Sequence, residues 1–289
     1  MFLDIHLHTM TFADPRQRIT EMLSPEDSVA RLDELGIDRG VLLPLVHHEP
    51  MNVFQTNENI LDVAARYPDR FIPFCNLDPR YHYNHNQVDF TPALEHYKDL
   101  GCKGVGEMCA NLWWDDDRVL NMLGHIEKSG LPMLFHLGVD GGTYGLVDDL
   151  GLPRLEKVLR MFPRLNLIGH SMAFWSAISG DVTEENWQGY PPGPVTEGGR
   201  LVELLRQYPN LWSDISAGSG NNALVRDPEF GYWFMEEFQD RLLFGTDLCW
   251  PKQEVPQVDT LNNALAGGHI SQQAYEKISH ENAEGLLEL

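Results

Sequence analysis

The sequence has little positive charge and no long apolar run, and both absences limit the partners that it can bind. Lysine and arginine number 21 against 43 aspartate and glutamate residues, so the formal net charge is −22. This charge repels the phosphates of nucleic acids and anionic membrane surfaces. No apolar run approaches the roughly 18 residues that a membrane-spanning helix needs. The chain opens with no basic segment followed by an apolar stretch. The sequence predicts a protein that binds neither nucleic acid nor membrane.

Cysteine is scarce, and its spacing excludes two further classes of protein. The four residues are Cys75, Cys102, Cys109 and Cys249. None forms the C-x-x-C pair that would indicate a zinc ribbon, and no disulfide framework is indicated. We therefore expect a reducing compartment, the cytoplasm. A G-x-G-x-x-G turn after the first β-rich run is also missing, which argues against a dinucleotide-binding sheet.

Short β-rich runs alternate strictly with segments of helical periodicity along the chain. The β-rich runs cover 3–8, 40–46, 71–76, 102–108, 132–136, 165–170, 211–215 and 242–247. The helical segments cover 25–35, 57–67, 92–100, 116–129, 153–162, 198–208, 229–239 and 257–288. Eight β-α units predict an α/β fold of the (β/α)8 TIM-barrel type. No break in composition marks a second domain, so we expect one domain over residues 1–289.

The connections that follow the strands are longer than those that return from a helix to the next strand. The longest cover 47–56, 77–91, 139–152, 171–197 and 216–228. In a barrel of this type, the loops after the strands build the active site. We expect one functional mouth at this end, walled by Trp113, Trp114, Tyr144, Trp175 and Trp250.

The first strand carries the sequence DIHLHT, in which Asp4, His6 and His8 occupy alternate positions. Successive side chains of a strand point to opposite faces. The alternation therefore predicts that these three polar side chains point into the barrel, while Leu3, Ile5 and Leu7 face the helices.

Metal-competent side chains lie at the ends of five predicted strands. Imidazole nitrogens and carboxylate oxygens are good ligands for zinc, and sites rich in histidine with an open position are typical of catalytic zinc. Burying so many polar groups without partners would cost several kcal/mol, so a shared metal explains them better than packing. The six residues are His6, His8, Glu107, His136, His170 and Asp247.

These residues resemble a known family of enzymes. The H-x-H of strand one, single histidines ending strands five and six, the sequence FGTD in strand eight and the C-terminal ENAEGLLEL are similar to the amidohydrolase superfamily. The nearest branch contains aminocarboxymuconate semialdehyde decarboxylase and related ring-cleavage hydrolases. The resemblance implies one divalent ion, usually zinc, with Mn²⁺ or another ion as an alternative.

The resemblance also implies roles for particular residues. The ion would be held by His6, His8, His136 and Asp247. Asp247 would be the general base, and His170 would act as a base, orient a water molecule or hydrogen-bond an oxyanion. Glu107 has two open interpretations: it binds a second metal with His136 and His170, or it hydrogen-bonds a histidine ligand and fixes its tautomer.

Substrate contacts are predicted from residues near the mouth. Arg80 and Arg226 could each clamp a substrate carboxylate with two hydrogen bonds. His47 follows strand two, and Trp113 and Trp250 belong to the aromatic mouth. We expect a small-molecule substrate, and the resemblance implies a homodimer.

Three classes of function are consistent with the sequence. The first is a hydrolase that uses a metal-activated water on an ester, lactone or amide of a small organic molecule. The alternative is a nonoxidative decarboxylase or hydratase of an unsaturated or aromatic carboxylic acid. The third, a noncatalytic carbohydrate- or metal-binding barrel, has no need of an acid–base residue such as Asp247.

Overall fold

The computed structural model of the protein describes residues 1–11, 22–50 and 53–289. Part of the predicted loop 47–56 therefore lies outside the described residues. The strands are β1 Leu3–Leu7, β2 Arg39–Leu42, β3 Phe71–Pro73, β4 Val105–Met108, β5 Ala110–Trp113, β6 Met133–Val139, β7 Gly145–Asp148, β8 Leu167–His170, β9 Leu211–Asp214 and β10 Leu242–Leu243.

Helices separate the strands. They are α1 Pro25–Leu35, α2 Asn57–Arg66, α3 Tyr81–Asn84, α4 Thr91–Asp99, α5 Asp117–Ser129, α6 Pro153–Met161, α7 Met172–Ser176, α8 Arg200–Gln207, α9 Ala217–Val225, α10 Pro228–Glu237, α11 Gln257–Ala266, α12 Gln272–Glu276 and α13 Asn282–Leu287, with a π-helical turn at Lys277–Glu281. Within these ranges, no helix combines the length and apolar character that crossing a bilayer requires.

The strand pairs are parallel and confirm the predicted α/β fold. One sheet has the order β1-β2-β3, and the other has the order β10-β9-β8-β6-β7-β5, with β4 paired to β6. Several backbone hydrogen bonds cross each of the two seams between the sheets without forming a continuous ladder. Ile5 N donates to Phe244 O at 2.9 Å, and Cys75 N donates to Gly104 O at 3.0 Å. The carboxyl ends of the predicted strands thus meet at one end of the molecule.

All eight predicted strands are present, and the structure adds elements in four of the predicted loops, including the short helices α3 in 77–91 and α7 in 171–197. β7 lies within the predicted loop 139–152, where it pairs with β6 and β5. α9 lies within the predicted loop 216–228. Its first residues, AGSG, are small, so they give none of the apolar periodicity by which a helix is recognised.

The residues at both ends of α1 are typical of a strongly capped helix. Ser24 is the N-cap, and its hydroxyl accepts a hydrogen bond from Asp27 N. Pro25 is the first helical residue, where its missing N–H costs nothing. Gly36 ends the helix with φ +71°, a left-handed conformation that glycine adopts without strain.

The predicted orientation of strand β1 is wrong at its beginning. Leu3 and Ile5 belong to the cluster of buried side chains in the barrel interior, together with Val41, Leu43, Ile72, Phe74, Leu134, Ile168 and Leu243. The pairing of β1 with β2 contains a bulge between Asp4 and Leu7. A bulge inserts one extra residue and shifts the alternation, so His6 also turns inward.

Asp4 has a structural role that the alternation did not predict. Its carboxylate accepts hydrogen bonds from Thr246 N at 3.0 Å and from His6 N at 2.9 Å, and Thr246 Oγ1 donates to it at 2.5 Å. The side chain is fully buried, and burial raises its pKa to about 7. Asp4 therefore joins β1 to the segment after β10.

The barrel interior leaves no room for a side chain at Gly104, which gives a test of the packing. A Cβ at this position would lie 2.3 Å from Cζ of the buried Phe74. We expect Gly104→Ala to lower the free energy of unfolding by about 1–3 kcal/mol, the usual cost of overpacking a core. Urea denaturation would measure the change.

Gly124→Ala in α5 is the matched control. Its Cβ would have Phe162 Cε1 as its nearest neighbour at an ordinary 3.7 Å. Because glycine disfavours a helix by roughly 0.5–1 kcal/mol relative to alanine, this variant should be unchanged or more stable. Equal stability of the two variants would contradict the described interior.

Candidate metal centre

Strand β1 brings two imidazoles together at the carboxyl end of the barrel. His6 Nε2 and His8 Nε2 lie 3.2 Å apart. The other nitrogen of each ring has its own acceptor: His6 Nδ1 lies 2.6 Å from Asp214 Oδ2, and His8 Nδ1 lies 3.0 Å from Leu43 O. With both Nδ1 atoms donating, the two Nε2 atoms present lone pairs to the same point. Such lone pairs repel each other unless a proton or a metal cation lies between them.

Two carboxylates from other strands lie beside this pair of nitrogens. Asp247 Oδ1 is 3.4 Å from His6 Nε2 and 3.7 Å from His8 Nε2. Glu107 Oε2 is 3.4 Å from His8 Nε2 and 3.7 Å from His6 Nε2. Asp247 has a left-handed backbone with φ +53°, a conformation that aspartate tolerates better than most residues.

Glu107 and Asp247 also connect the first pair of histidines to a second pair. Glu107 Oε1 lies 2.9 Å from His136 Nδ1, and Asp247 Oδ2 lies 3.7 Å from His170 Nε2. Two of the three compact groups of ligand atoms among the described residues face this centre: one is His6, His8 and Asp247, and the other is Glu107, His136 and His170. Glu107 directs one oxygen to each group, which is the arrangement that a carboxylate shared by two ions requires.

The charges of the buried groups favour an added cation. Burial would raise the pKa of Glu107, but hydrogen bonds from His136, His6 and His8 outweigh it and hold the pKa well below its usual range. Burial would lower the pKa of His6, but the charges of Asp247 and Asp214 outweigh it and raise the pKa well above its ordinary value. Ionised carboxylates thus surround a point at which positive charge is stabilised.

These donors fit a divalent metal ion. The set consists of imidazole nitrogens and carboxylate oxygens, which zinc and manganese both accept. Each of His6 and His8 has a hydrogen-bond acceptor behind it, as metal-ligating histidines almost always have. His6 is fully buried and His8 is 3% exposed, so the side-chain positions are fixed by packing.

A cavity of about 600 Å³ opens onto this centre. His8, Glu107, His136 and Asp247 lie at its base. Its walls are mainly apolar or aromatic and are formed by Met22, Leu45, Pro50, Val53, Thr143, Tyr144, Cys249 and Trp250. The ring centroids of Tyr144 and His136 are 4.5 Å apart. Of the predicted aromatic wall, Trp114 and Trp175 are buried in the core and do not line the cavity.

The structure brings one of the five predicted substrate contacts to the cavity wall, namely Trp250. Trp113 lies under the Arg154 guanidinium, 4.3 Å from the ring centroid. His47 is fully buried, and burial lowers its pKa to about 4. The nitrogen Nδ1 of His47 accepts a hydrogen bond from Cys109 N at 3.4 Å.

The two arginines predicted to clamp a substrate carboxylate bind other groups of the protein instead. Arg80 makes two hydrogen bonds of 2.8 Å to the carboxylate of Asp78 and a further ion pair with Glu49. Arg226 Nη1 donates to Pro191 O at 3.1 Å. Neither lines the cavity above the metal centre.

Sequence reasoning missed Ser216, which lies directly behind the histidines. Its hydroxyl is 2.9 Å from His170 Nδ1 and 2.9 Å from Asp214 Oδ2. Asp214 is fully buried, and its Oδ2 lies beside His6 Nδ1. No local pattern marks Ser216, because its partner His170 lies 46 residues away.

Comparison with known proteins identifies the family of this chain. The amidohydrolase family model matches residues 3–289. A search of the curated proteins found no match.

Similar solved structures cover nearly the whole chain. A TIM-barrel protein of Bordetella bronchiseptica has 21% identity and a TM-score of 0.67, covering 99% of this chain and 98% of its own. A probable 2-pyrone-4,6-dicarboxylic acid hydrolase of Acinetobacter baumannii has 14% identity and a TM-score of 0.59, covering 100% and 99%. A 5-carboxyvanillate decarboxylase of Novosphingobium aromaticivorans, complexed with manganese, has 14% identity and a TM-score of 0.61, covering 100% and 96%. At these identities, the likeness establishes the TIM-barrel fold.

Proposed function

Because the chain belongs to the amidohydrolase family, we propose that it is a zinc-dependent hydrolase of an ester, lactone or amide of a small organic molecule. The observation that carries this proposal is the position of Asp247. Its carboxylate lies beside the paired Nε2 atoms of His6 and His8 and also lines the cavity. A group that both borders a metal position and faces the substrate space can move protons during hydrolysis.

His6, His8 and Asp247 would hold the ion, with Glu107 beside them. When bound, a divalent ion supplies positive charge and Lewis acidity to the oxygen atoms of a substrate. His136 would complete the ligand set or, with Glu107 and His170, form a second metal position. The short distance of 2.9 Å between Glu107 and His136 is consistent with either arrangement.

Asp247 would be the general base. Its side chain is 27% exposed, so a water molecule or substrate in the cavity can reach the carboxylate. A proton taken up there can be passed to the leaving group, while His170, 3.7 Å from Oδ2, lies close enough to orient the reacting group. General acid–base catalysis of this kind contributes typically about 10²–10⁴-fold.

The cavity wall favours a compact substrate with an apolar or aromatic portion. Tyr144 and Trp250 can stack on a flat ring, and Leu45 and Val53 add aliphatic surface. Among the described lining residues, none is lysine or arginine. This composition favours an uncharged acyl compound over one with several carboxylates.

The second candidate is nonoxidative decarboxylation of an unsaturated or aromatic carboxylic acid. It is supported by the aromatic side chains at the cavity and by the shared fold of the manganese-bound 5-carboxyvanillate decarboxylase. The same ligand set would hold the ion, and the substrate carboxylate would lie against it.

A substrate panel distinguishes the two candidates. The full chain, loaded separately with Zn²⁺ and Mn²⁺, would be assayed on p-nitrophenyl esters, lactones, anilides and hydroxybenzoates. We expect hydrolysis of an ester, lactone or amide with no release of CO₂. Release of CO₂ from an aromatic acid, without turnover of the acyl compounds, would overturn the hydrolase proposal in favour of the decarboxylase.

Metal removal gives a further prediction. Treatment with a chelator followed by gel filtration is expected to lower turnover at least about 10²-fold, since the ion supplies several kcal/mol of charge stabilisation in the transition state. Adding back Zn²⁺ should restore the rate, and Mg²⁺ should not, because Mg²⁺ prefers oxygen ligands. Full turnover by the metal-free chain would contradict a metal-dependent reaction.

A further inference from the structure

Behind the metal centre, one buried carboxylate serves two histidines. Asp214 Oδ2 lies 2.6 Å from His6 Nδ1 and 2.9 Å from the hydroxyl of Ser216. The same hydroxyl lies 2.9 Å from His170 Nδ1. Asp214 and Ser216 are both fully buried, so water cannot replace any of these contacts.

The positions of the protons follow from what each group can donate. Asp214 Oδ1 accepts a hydrogen bond from Ser216 N at 2.9 Å, and Oδ2 faces His6 Nδ1, so both oxygens act as acceptors, as in an ionised carboxylate. An ionised carboxylate accepts hydrogen bonds and donates none. Ser216 must therefore direct its single proton to Asp214, since two acceptors 2.9 Å apart would otherwise repel each other.

Because the hydroxyl of Ser216 directs its proton to Asp214, its oxygen can only accept a hydrogen bond from His170 Nδ1. The imidazole then carries its proton on Nδ1, which leaves a lone pair on Nε2. His6 has the same tautomer, because its Nδ1 donates directly to Asp214. The two rings meet edge to face, with centroids 4.5 Å apart, and each Nε2 lies near one oxygen of Asp247, at 3.4 Å for His6 and 3.7 Å for His170.

We propose that Asp214 and Ser216 are positioning residues that hold the Nδ1 protons of His6 and His170, so that both rings present an unprotonated Nε2 to Asp247 and the metal position. The metal part of this inference rests on the proposed function. In the resting enzyme, His170 is then a ligand or a proton acceptor, and not a donor to an oxyanion. A single carboxylate thereby sets the state of both rings.

Nitrogen NMR of the full chain tests the tautomers directly. In a ¹⁵N-labelled, zinc-loaded sample, couplings between ring protons and nitrogens identify which nitrogen of each histidine carries hydrogen. The signals are assigned by their loss in His6→Gln and His170→Gln. We expect Nδ1–H and an unprotonated Nε2 in both rings of the zinc-loaded sample. A wild-type His170 that is protonated on Nε2 alone would overturn the inference without any further variant.

Ser216→Ala removes the connection to His170 and leaves the contact between Asp214 and His6. We expect the spectrum of His170 to become that of a mixture of tautomers while His6 is unchanged, and Ser216→Thr to keep the wild-type spectrum. The dissociation constant for Zn²⁺, measured by competition with a chelator, should rise about 10-fold in Ser216→Ala, at the lower end of the effect of losing a group behind a metal ligand. Unchanged spectra and affinity in Ser216→Ala would overturn the proposal.

Ser213→Ala is the matched control, because Ser213 lies in β9 just before Ser216. Ser213 is also fully buried, and its hydroxyl has no hydrogen-bond partner among the described residues. This variant should keep the wild-type spectra, zinc affinity and turnover.

The outcomes separate this inference from the proposed function. Predicted spectra and a weakened zinc affinity in Ser216→Ala, without turnover of any panel compound, would support the positioning roles and contradict the hydrolase. Turnover of an acyl compound together with a His170 that is protonated on Nε2 would support the hydrolase and contradict the positioning roles. A chain that binds no zinc would contradict both.

Discussion

Replacing Asp247 by asparagine is expected to lower turnover by about 10²–10⁴-fold, the contribution that a positioned acid–base group makes. The two side chains have nearly the same shape, so the substitution removes the charge and the ability to take up a proton while the packing is kept. Turnover would be measured on the best acyl substrate across a range of Zn²⁺ concentrations. The loss should persist when zinc is saturating, because it comes from the missing base.

Two measurements separate the roles of Asp247 as ligand and as base. Zinc affinity should also fall in Asp247→Asn, since a neutral amide oxygen replaces a carboxylate beside His6 and His8. Asp240→Asn is the control, because it removes a carboxylate that pairs with Lys277 on the surface. It should leave turnover and zinc affinity unchanged. Full turnover by Asp247→Asn at saturating zinc would rule out Asp247 as the base.

His8→Ala should abolish both zinc retention and turnover. His8 Nε2 lies 3.2 Å from His6 Nε2, and its Nδ1 hydrogen-bonds to the carbonyl of Leu43. Its loss therefore removes a ligand without leaving a buried charge unpaired. Losing a group that hydrogen-bonds a metal ligand lowers the metal affinity by about 10- to 100-fold. We expect the loss of the ligand itself in His8→Ala to lower the zinc affinity by more than this. Metal analysis after gel filtration would measure the zinc content of the variant.

The control for His8→Ala is His96→Ala, which removes an exposed imidazole from α4. It should retain zinc and turnover. The free energy of unfolding of the metal-free form should change by only about 1–2 kcal/mol in His8→Ala, since one hydrogen bond and a modest volume are lost. Retention of zinc by His8→Ala at the wild-type affinity would place the ion elsewhere.

The sequence was sufficient to predict the order of strands and helices and the residues at the strand ends. Period-two and helical patterns alternate clearly, and the H-x-H of β1 lies where a parallel strand has no face in water. His6, His8, Glu107 and Asp247 consequently lie within hydrogen-bonding or ion-pairing distance of one another. Their roles as ligands stay a prediction.

What the sequence could not predict depends on contacts across the fold. Leu3, Ile5 and Leu7 alternate perfectly, so the bulge that turns Leu3 and Ile5 into the barrel interior leaves no trace in the pattern. The contact between Asp214 and His6 spans 208 positions. The arginine clamps were chosen because they lie in loops, but Arg80 is already paired with Asp78, which local sequence does not reveal.

A crystal of the zinc-loaded chain, measured with X-rays on either side of the zinc absorption edge, would test the central claim most directly. We expect an anomalous peak within ligand distance, roughly 2.0–2.2 Å, of His6 Nε2, His8 Nε2 and a carboxylate oxygen of Asp247. A second peak between Glu107, His136 and His170 would identify a two-metal centre. The absence of any peak among these side chains, in protein that binds zinc in solution, would contradict the proposed metal centre.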